Sequence, residues 1–98
     1  MSSELTVIAR MQAKPDRVDE LRAALDVIIA ATREEHGCLN YDLHVHAEDP
    51  TVFAFHETWV DRVAWEEHND TPHIAKFRAL AGELLVGPAQ VDPLHKVE

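Results

Sequence analysis

The run Gly37-Cys38-Leu39-Asn40-Tyr41-Asp42-Leu43-His44-Val45-His46, and after a turn Val52-Phe53-Ala54-Phe55-His56-Glu57-Thr58-Trp59, decides the fold. Leu39, Tyr41, Leu43 and Val45 alternate with Asn40, Asp42, His44 and His46, the period-2 pattern of a strand. Phe53, Phe55, Glu57 and Trp59 alternate in the same way with Ala54, His56 and Thr58. Between the two lies Glu48-Asp49-Pro50, residues that favour a turn because Asp bonds its own backbone and Pro presets φ. An antiparallel hairpin is the expectation.

Working outward, Asp61 to Asn69 reads as a short helix capped by Asp61, and Thr71-Pro72 restarts a second with a hydroxyl cap before a proline. Ile74, Phe77, Ala81 and Leu84 line one side of it. After Gly87-Pro88, Ala89 to Val97 are interrupted by Pro93 and suit an edge strand or a segment that reaches onto a partner. Toward the other end, Leu5 to Gln12 is apolar on both faces and reads as a buried strand. Lys14-Pro15-Asp16 opens a helix whose stripe is Val18, Leu21, Leu25, Ile28 and Ile29, running until Gly37 stops it.

The resulting order, β-α-β-β-α-β, defines an α+β domain with one four-stranded antiparallel sheet and helices on one face. The other face reads as too apolar for water, so a second copy is expected to cover it in a C2 pair. With 98 residues and no linker-like tract, residues 1–98 form a single domain. Lys plus Arg number 9 against 18 Asp plus Glu, a formal charge of -9, with the cations scattered. That balance argues against nucleic acid and anionic membranes as partners, and for a neutral or weakly polar small molecule. Cys38 is the only cysteine, so no internal disulfide exists, and it reads as a small buried hydrophobe. Neither a secretory leader nor a ~20-residue apolar run is visible, which makes a soluble cytoplasmic protein the expectation.

Four blocks in order, Glu35-His36-Gly37-Cys38-Leu39-Asn40-Tyr41-Asp42-Leu43, Asp49-Pro50, Phe53-x-Phe55-x-Glu57-x-Trp59 and His68-x-x-Thr71-Pro72-His73-x-x-x-Phe77, resemble the antibiotic biosynthesis monooxygenase family. The resemblance implies a ferredoxin-like subunit, a homodimer whose sheets form a dimeric α+β barrel, and a pocket between sheet and helices. It also implies cofactor-free oxidation of phenolic or quinol-type aromatic substrates by dioxygen, with no metal. Relatives within this resemblance extend to haem degradation and to isomerases. Trp59 and His44 stand where the anthrone-oxidising branch has a pocket tryptophan and a histidine. Trp65 replaces an expected tyrosine and Phe55 an expected asparagine, so two polar groups of that branch are missing. At the positions that serve haem degradation the chain has Ile8, His68 and Arg78, which do not match.

For catalysis the sequence nominates His68, His44 and Trp59, with an imidazole as the base for a phenol proton. Phe55, Glu57, Trp65, His73, Phe77, Asn40 and Tyr41 are the substrate-binding candidates. Trp59 also suits plain core packing, and Glu57 a structural hydrogen bond. His73 follows a cap and a proline and equally suits helix-start packing. Asn40 and Tyr41 must face opposite sides of their strand, so only one meets the ligand. His44, His46 and His56 cluster on neighbouring strands without a metal-binding spacing. Glu34-Glu35 reads as a solvated helix end. Two other functions fit the same residues: an oxygen-independent isomerase or lyase of a small carbonyl compound, and a non-catalytic small-molecule-binding dimer.

Overall fold

The computed structural model describes residues 3–98. In chain order the elements are β1 (Leu5–Gln12), α1 (Val18–Arg33), β2 (Cys38–Val45), β3 (Val52–Trp59), α2 (Arg62–Asn69), α3 (Pro72–Leu84) and β4 (Gln90–Leu94). The four strands make one antiparallel sheet in the order β2-β3-β1-β4. This is the ferredoxin-like α+β arrangement, with its second helical segment divided into α2 and α3.

The β2–β3 hairpin forms as its alternation requires. Tyr41 lies opposite Glu57, Leu43 opposite Phe55 and Val45 opposite Phe53. Directly opposed residues share a face, so Tyr41, Phe53, Phe55, Glu57 and Trp59 all point toward the helices. Asp49 closes the turn by accepting from Thr51 N and Oγ1 at 3.0 and 2.6 Å. From β1, Leu5, Val7, Ala9 and Met11 point the same way and meet Leu21, Leu25 and Ile28 of α1 and Ile74 and Leu84 of α3. Burying each such aliphatic side chain contributes roughly 1.5–3 kcal/mol.

The helix-free face differs from its expected character. It carries Arg10, Gln12, Asn40, Asp42, His44 and His56, with Ile8, Ala54 and Thr58 only half-buried among them. The aromatic side chains of β3 share one parity, toward the helices, which leaves the opposite face to smaller and polar residues.

Both boundaries of α1 also move. Lys14-Pro15-Asp16 forms a turn, with Arg17 N donating to Lys14 O at 2.9 Å, and α1 starts at Val18. At the other end α1 stops at Arg33, and residues 34–37 turn instead of continuing to Gly37. Gly37 has φ +98, and a Cβ there would lie 2.7 Å from Ala64 Cβ, so the glycine is required on both counts. Asp61 caps α2 as expected, its Oδ1 accepting from Ala64 N at 2.9 Å. Thr71 occupies the N-cap of α3 ahead of Pro72, but its hydroxyl donates to His68 O at 2.8 Å and leaves α3 without a side-chain cap.

Candidate active site

Helices resting on a sheet with large side chains at one end and small ones at the other leave a gap. Here it is a cavity of about 610 Å³ between the sheet, α1, α2, α3 and the segment from Leu85 to Val91. Ala9 and Met11 form its floor with Tyr41, Phe55 and Glu57. Trp65, His68, Phe77 and Arg78 reach in from the helices. Apart from Glu57, His68, Asn69, Arg78 and the Tyr41 hydroxyl the side-chain lining is apolar, as small-molecule pockets usually are.

His68 sits on the last turn of α2 and is 3% exposed. Its Nδ1 donates to Glu35 Oε2 at 2.7 Å, and His73 Nε2 donates to the same oxygen at 2.8 Å. A carboxylate only accepts, so both nitrogens carry protons. That fixes the neutral His68 tautomer: Nε2 keeps its lone pair, has no hydrogen-bond partner among the described residues, and belongs to a side chain that lines the cavity. Burial pushes the His68 pKa below its ordinary value, while the Glu35 hydrogen bond and charge oppose that shift. The ring is therefore neutral at pH 7, the state a general base needs.

Glu35 reaches this position because α1 ends early and the turn before Gly37 swings its side chain inward. The reading of Glu34-Glu35 as a solvated end is thus wrong for Glu35, whose side chain is only 15% exposed. Glu35, His68 and His73 are also a donor set of the kind that holds a divalent cation. Their N···O separations of 2.7 and 2.8 Å are those of hydrogen bonds.

Glu57 is the second buried polar group of the cavity, 3% exposed. Trp59 Nε1 donates to its Oε1 at 2.9 Å. Burial raises the Glu57 pKa to about 7, the Trp59 hydrogen bond opposes the rise, and the Glu35 charge adds to it. The Tyr41 phenol is pushed well above its ordinary range, first by burial and then by Glu57. Its ring stacks on Phe55 at 4.4 Å and meets the edge of His68 at 5.5 Å. Burial likewise raises the Cys38 thiol to about 11, which makes it a poor nucleophile.

The structure brings Tyr41, Phe55, Glu57, Trp65, His68 and Phe77 to one cavity and separates the other candidates from it. Trp59 is fully buried and lies behind the wall, its ring 4.6 Å from that of His68. It touches both His68 and Glu57 without lining the cavity. His44 is exposed on the helix-free face, its Nδ1 3.2 Å from Asp42 O. Asn40 shares that face and bonds His56 O at 3.0 Å and Asp42 Oδ2 at 3.1 Å. Strand parity settles both: Tyr41 meets the cavity, so Asn40 and His44 cannot. His73 does not line this cavity; its Nε2 meets Glu35 Oε2 and lies 3.2 Å from Thr71 Oγ1. Sequence reasoning missed Glu35, and it missed Arg78 as a lining residue; Arg78 also holds Asn69 O at 2.9 Å. Neither stands in a spacing that announces it.

Residues 4–80 match the antibiotic biosynthesis monooxygenase family. The chain belongs to that family. Rv0793 of Mycobacterium tuberculosis, whose name provisionally assigns it as a monooxygenase, is 43% identical over 98 residues, covering 100% of this chain and 96% of the relative. YcnE of Bacillus subtilis carries the same provisional assignment and is 31% identical over 83 residues, 85% of this chain and 87% of its own. Among solved structures, PA3566 from Pseudomonas aeruginosa superimposes with a TM-score of 0.92 at 36% identity, covering 100% and 98% of the two chains. This chain therefore has the family's fold, and its cavity lies between the sheet and the helices. No described helix is long and apolar enough to cross a membrane.

Proposed function

We propose that this family member is a cofactor-independent monooxygenase of a small phenolic or quinol-type aromatic molecule, with His68 as its base. The observation that carries the reading is the free Nε2 of a buried, neutral His68, held by Glu35 through Nδ1 at the wall of an apolar cavity. Removing a hydroxyl proton leaves an aromatic anion rich enough to pass an electron to dioxygen. Recombination forms a C–O bond and a hydroperoxide, and cleavage of its O–O bond releases the outer oxygen as water and leaves the carbon-bound oxygen as the new carbonyl. The four electrons that dioxygen accepts come from the substrate. Phe55, Trp65 and Phe77 supply flat apolar walls, and exclusion of water protects the intermediate.

The test is oxygen consumption across a panel of quinols, naphthols and anthrones, with a His68→Ala variant beside the wild type. Uptake that falls by on the order of 10²-fold or more in the variant supports the assignment. No uptake above a heat-inactivated control refutes it. Turnover that persists without oxygen selects the isomerase or lyase reading, which the paired titratable groups His68 and Glu57 favour. We further propose that the working unit is a homodimer. All five residues of edge strand β4 are exposed, including Val91 at 47% and Leu94 at 45%, and light scattering on the eluted protein tests it.

A further inference from the structure

A carboxyl group that is almost fully buried needs a partner for each oxygen or a reason to lack one. In Glu57 the Oε1 atom accepts from Trp59 at 2.9 Å. Oε2 has no hydrogen-bond partner among the described residues, and the side chain lines the cavity. The groups around it are Tyr41 and Cys38 from β2, Glu35 from the turn after α1, His68 from α2 and Arg78 from α3. Val7, opposite Glu57 on β1, adds no charge. Arg78 is exposed and held on Asn69, and no cation is paired with Glu57. An anionic carboxylate thus has nothing to balance it, and a protonated one has an O–H with no acceptor inside the protein.

We propose that Glu57 presents a neutral carboxyl to the cavity, and that its O–H recognises a carbonyl oxygen on the substrate. Resting on the assignment of His68 as base, this narrows the substrate class to aromatic compounds that pair an ionisable hydroxyl with a conjugated carbonyl. The chemistry of such a molecule links the two groups. When His68 Nε2 takes the hydroxyl proton, the electron pair delocalises through the ring onto the carbonyl oxygen. A donor already aimed at that oxygen stabilises the charge as it develops, as any preorganised oxyanion donor does. Trp59 holds both partners in register, its ring against His68 and its N–H on Glu57. Glu57 therefore acts on the ligand directly, and Trp59 is a positioning residue. The Glu57 pKa of about 7, set by burial, places the loss of this donor within reach of an ordinary titration.

Binding without turnover isolates the claim. A hydroxytetralone and the tetrahydronaphthol of the same shape without the carbonyl are compared by calorimetry from about pH 6 to about pH 8, a window that spans the ordinary range of a shifted carboxyl. Wild-type protein is expected to prefer the ketone by roughly tenfold at the acid end, the worth of one good hydrogen bond, and to lose that preference at the alkaline end. Glu57→Gln, which keeps a donor, is expected to retain a preference that no longer varies with pH, and Glu57→Leu to show none at either end. Equal binding of the two probes by wild type at about pH 6, or a wild-type preference that does not change across the window, overturns the proposal. Both results use the unmodified chain, so a poorly folded variant does not obscure them. Oxygen uptake plays no part in this measurement, so failure of the oxidase assignment and failure of carbonyl recognition are read separately.

Discussion

Replacing Glu57 with glutamine should stabilise the protein at alkaline pH and leave it almost unchanged in acid. The folded chain releases the Glu57 proton at about 7 where an ordinary glutamate does so at 4.5. Below the lower value both folded and unfolded chains hold the proton, and the group contributes nothing. Between the two values only the folded chain keeps it, so stability falls as pH rises. Above about 7 both states are ionised and the whole penalty is present, on the order of 3 kcal/mol for a side chain this deeply buried. Glutamine carries no charge, keeps an oxygen for Trp59 Nε1 and escapes the penalty. His68 works in the opposite direction, since burial lowers its pKa and its contribution to stability grows as pH rises through the acid range. Both proteins share it, so the difference between them isolates Glu57. Thermal unfolding at fixed protein concentration between about pH 5 and about pH 8 reads the effect, with the variant melting on the order of 10 °C above wild type at the alkaline end. A difference in melting temperature that stays flat across that range refutes the burial argument for Glu57.

Glu35→Gln should lower kcat/KM by on the order of 10²-fold and move the acid limb of its pH profile downward, because burial then acts on His68 without the opposing charge. A limb that moves upward contradicts this assignment of Glu35. Gly37→Ala places a Cβ 2.7 Å from Ala64 Cβ at a positive φ, and urea unfolding should show a loss of about 2 kcal/mol or more. Asp61→Ala removes the bond to Ala64 N and should cost about 1 kcal/mol by the same measurement, with ligand affinity unchanged.

The elements that follow from local chemistry were legible in the sequence. Period-2 alternation located β2 and β3, Asp49-Pro50 closed their turn, and Asp61 marked the start of α2. The starting point of α1 was not, because Lys14-Pro15-Asp16 has the composition of both a turn and a first helical turn, and only the bond from Arg17 N to Lys14 O separates them. For the site, the alternation already grouped Phe55, Glu57 and Trp59, and it stated that Asn40 and Tyr41 oppose each other. It did not state which parity faces the helices, and His44, nominated by resemblance alone, lies on the opposite face from the cavity. Glu35 was invisible for a different reason. Its partners lie 33 and 38 residues away, and nothing in a glutamate near a helix end distinguishes a solvated carboxylate from one turned inward to two imidazoles.

Trp59 shows why fold and site cannot be separated in a chain of this size. It is fully buried, its ring covers His68 at 4.6 Å, and its N–H fixes Glu57. Excluding water from that region stabilises the core through apolar burial, and the same exclusion drives both titratable groups toward their neutral forms, downward in pKa for the imidazole and upward for the carboxyl. On the acid side of about pH 7 an acceptor and a donor thus face one cavity. The arrangement is sensitive in a definite way: a change that admits water beside Trp59 returns His68 toward its ordinary basicity and Glu57 toward an ordinary acid, so the base becomes easier to protonate and the carboxyl loses its proton at lower pH. Stability and chemistry should therefore be lost together when the packing of Trp59 is loosened, even though the indole never touches the cavity.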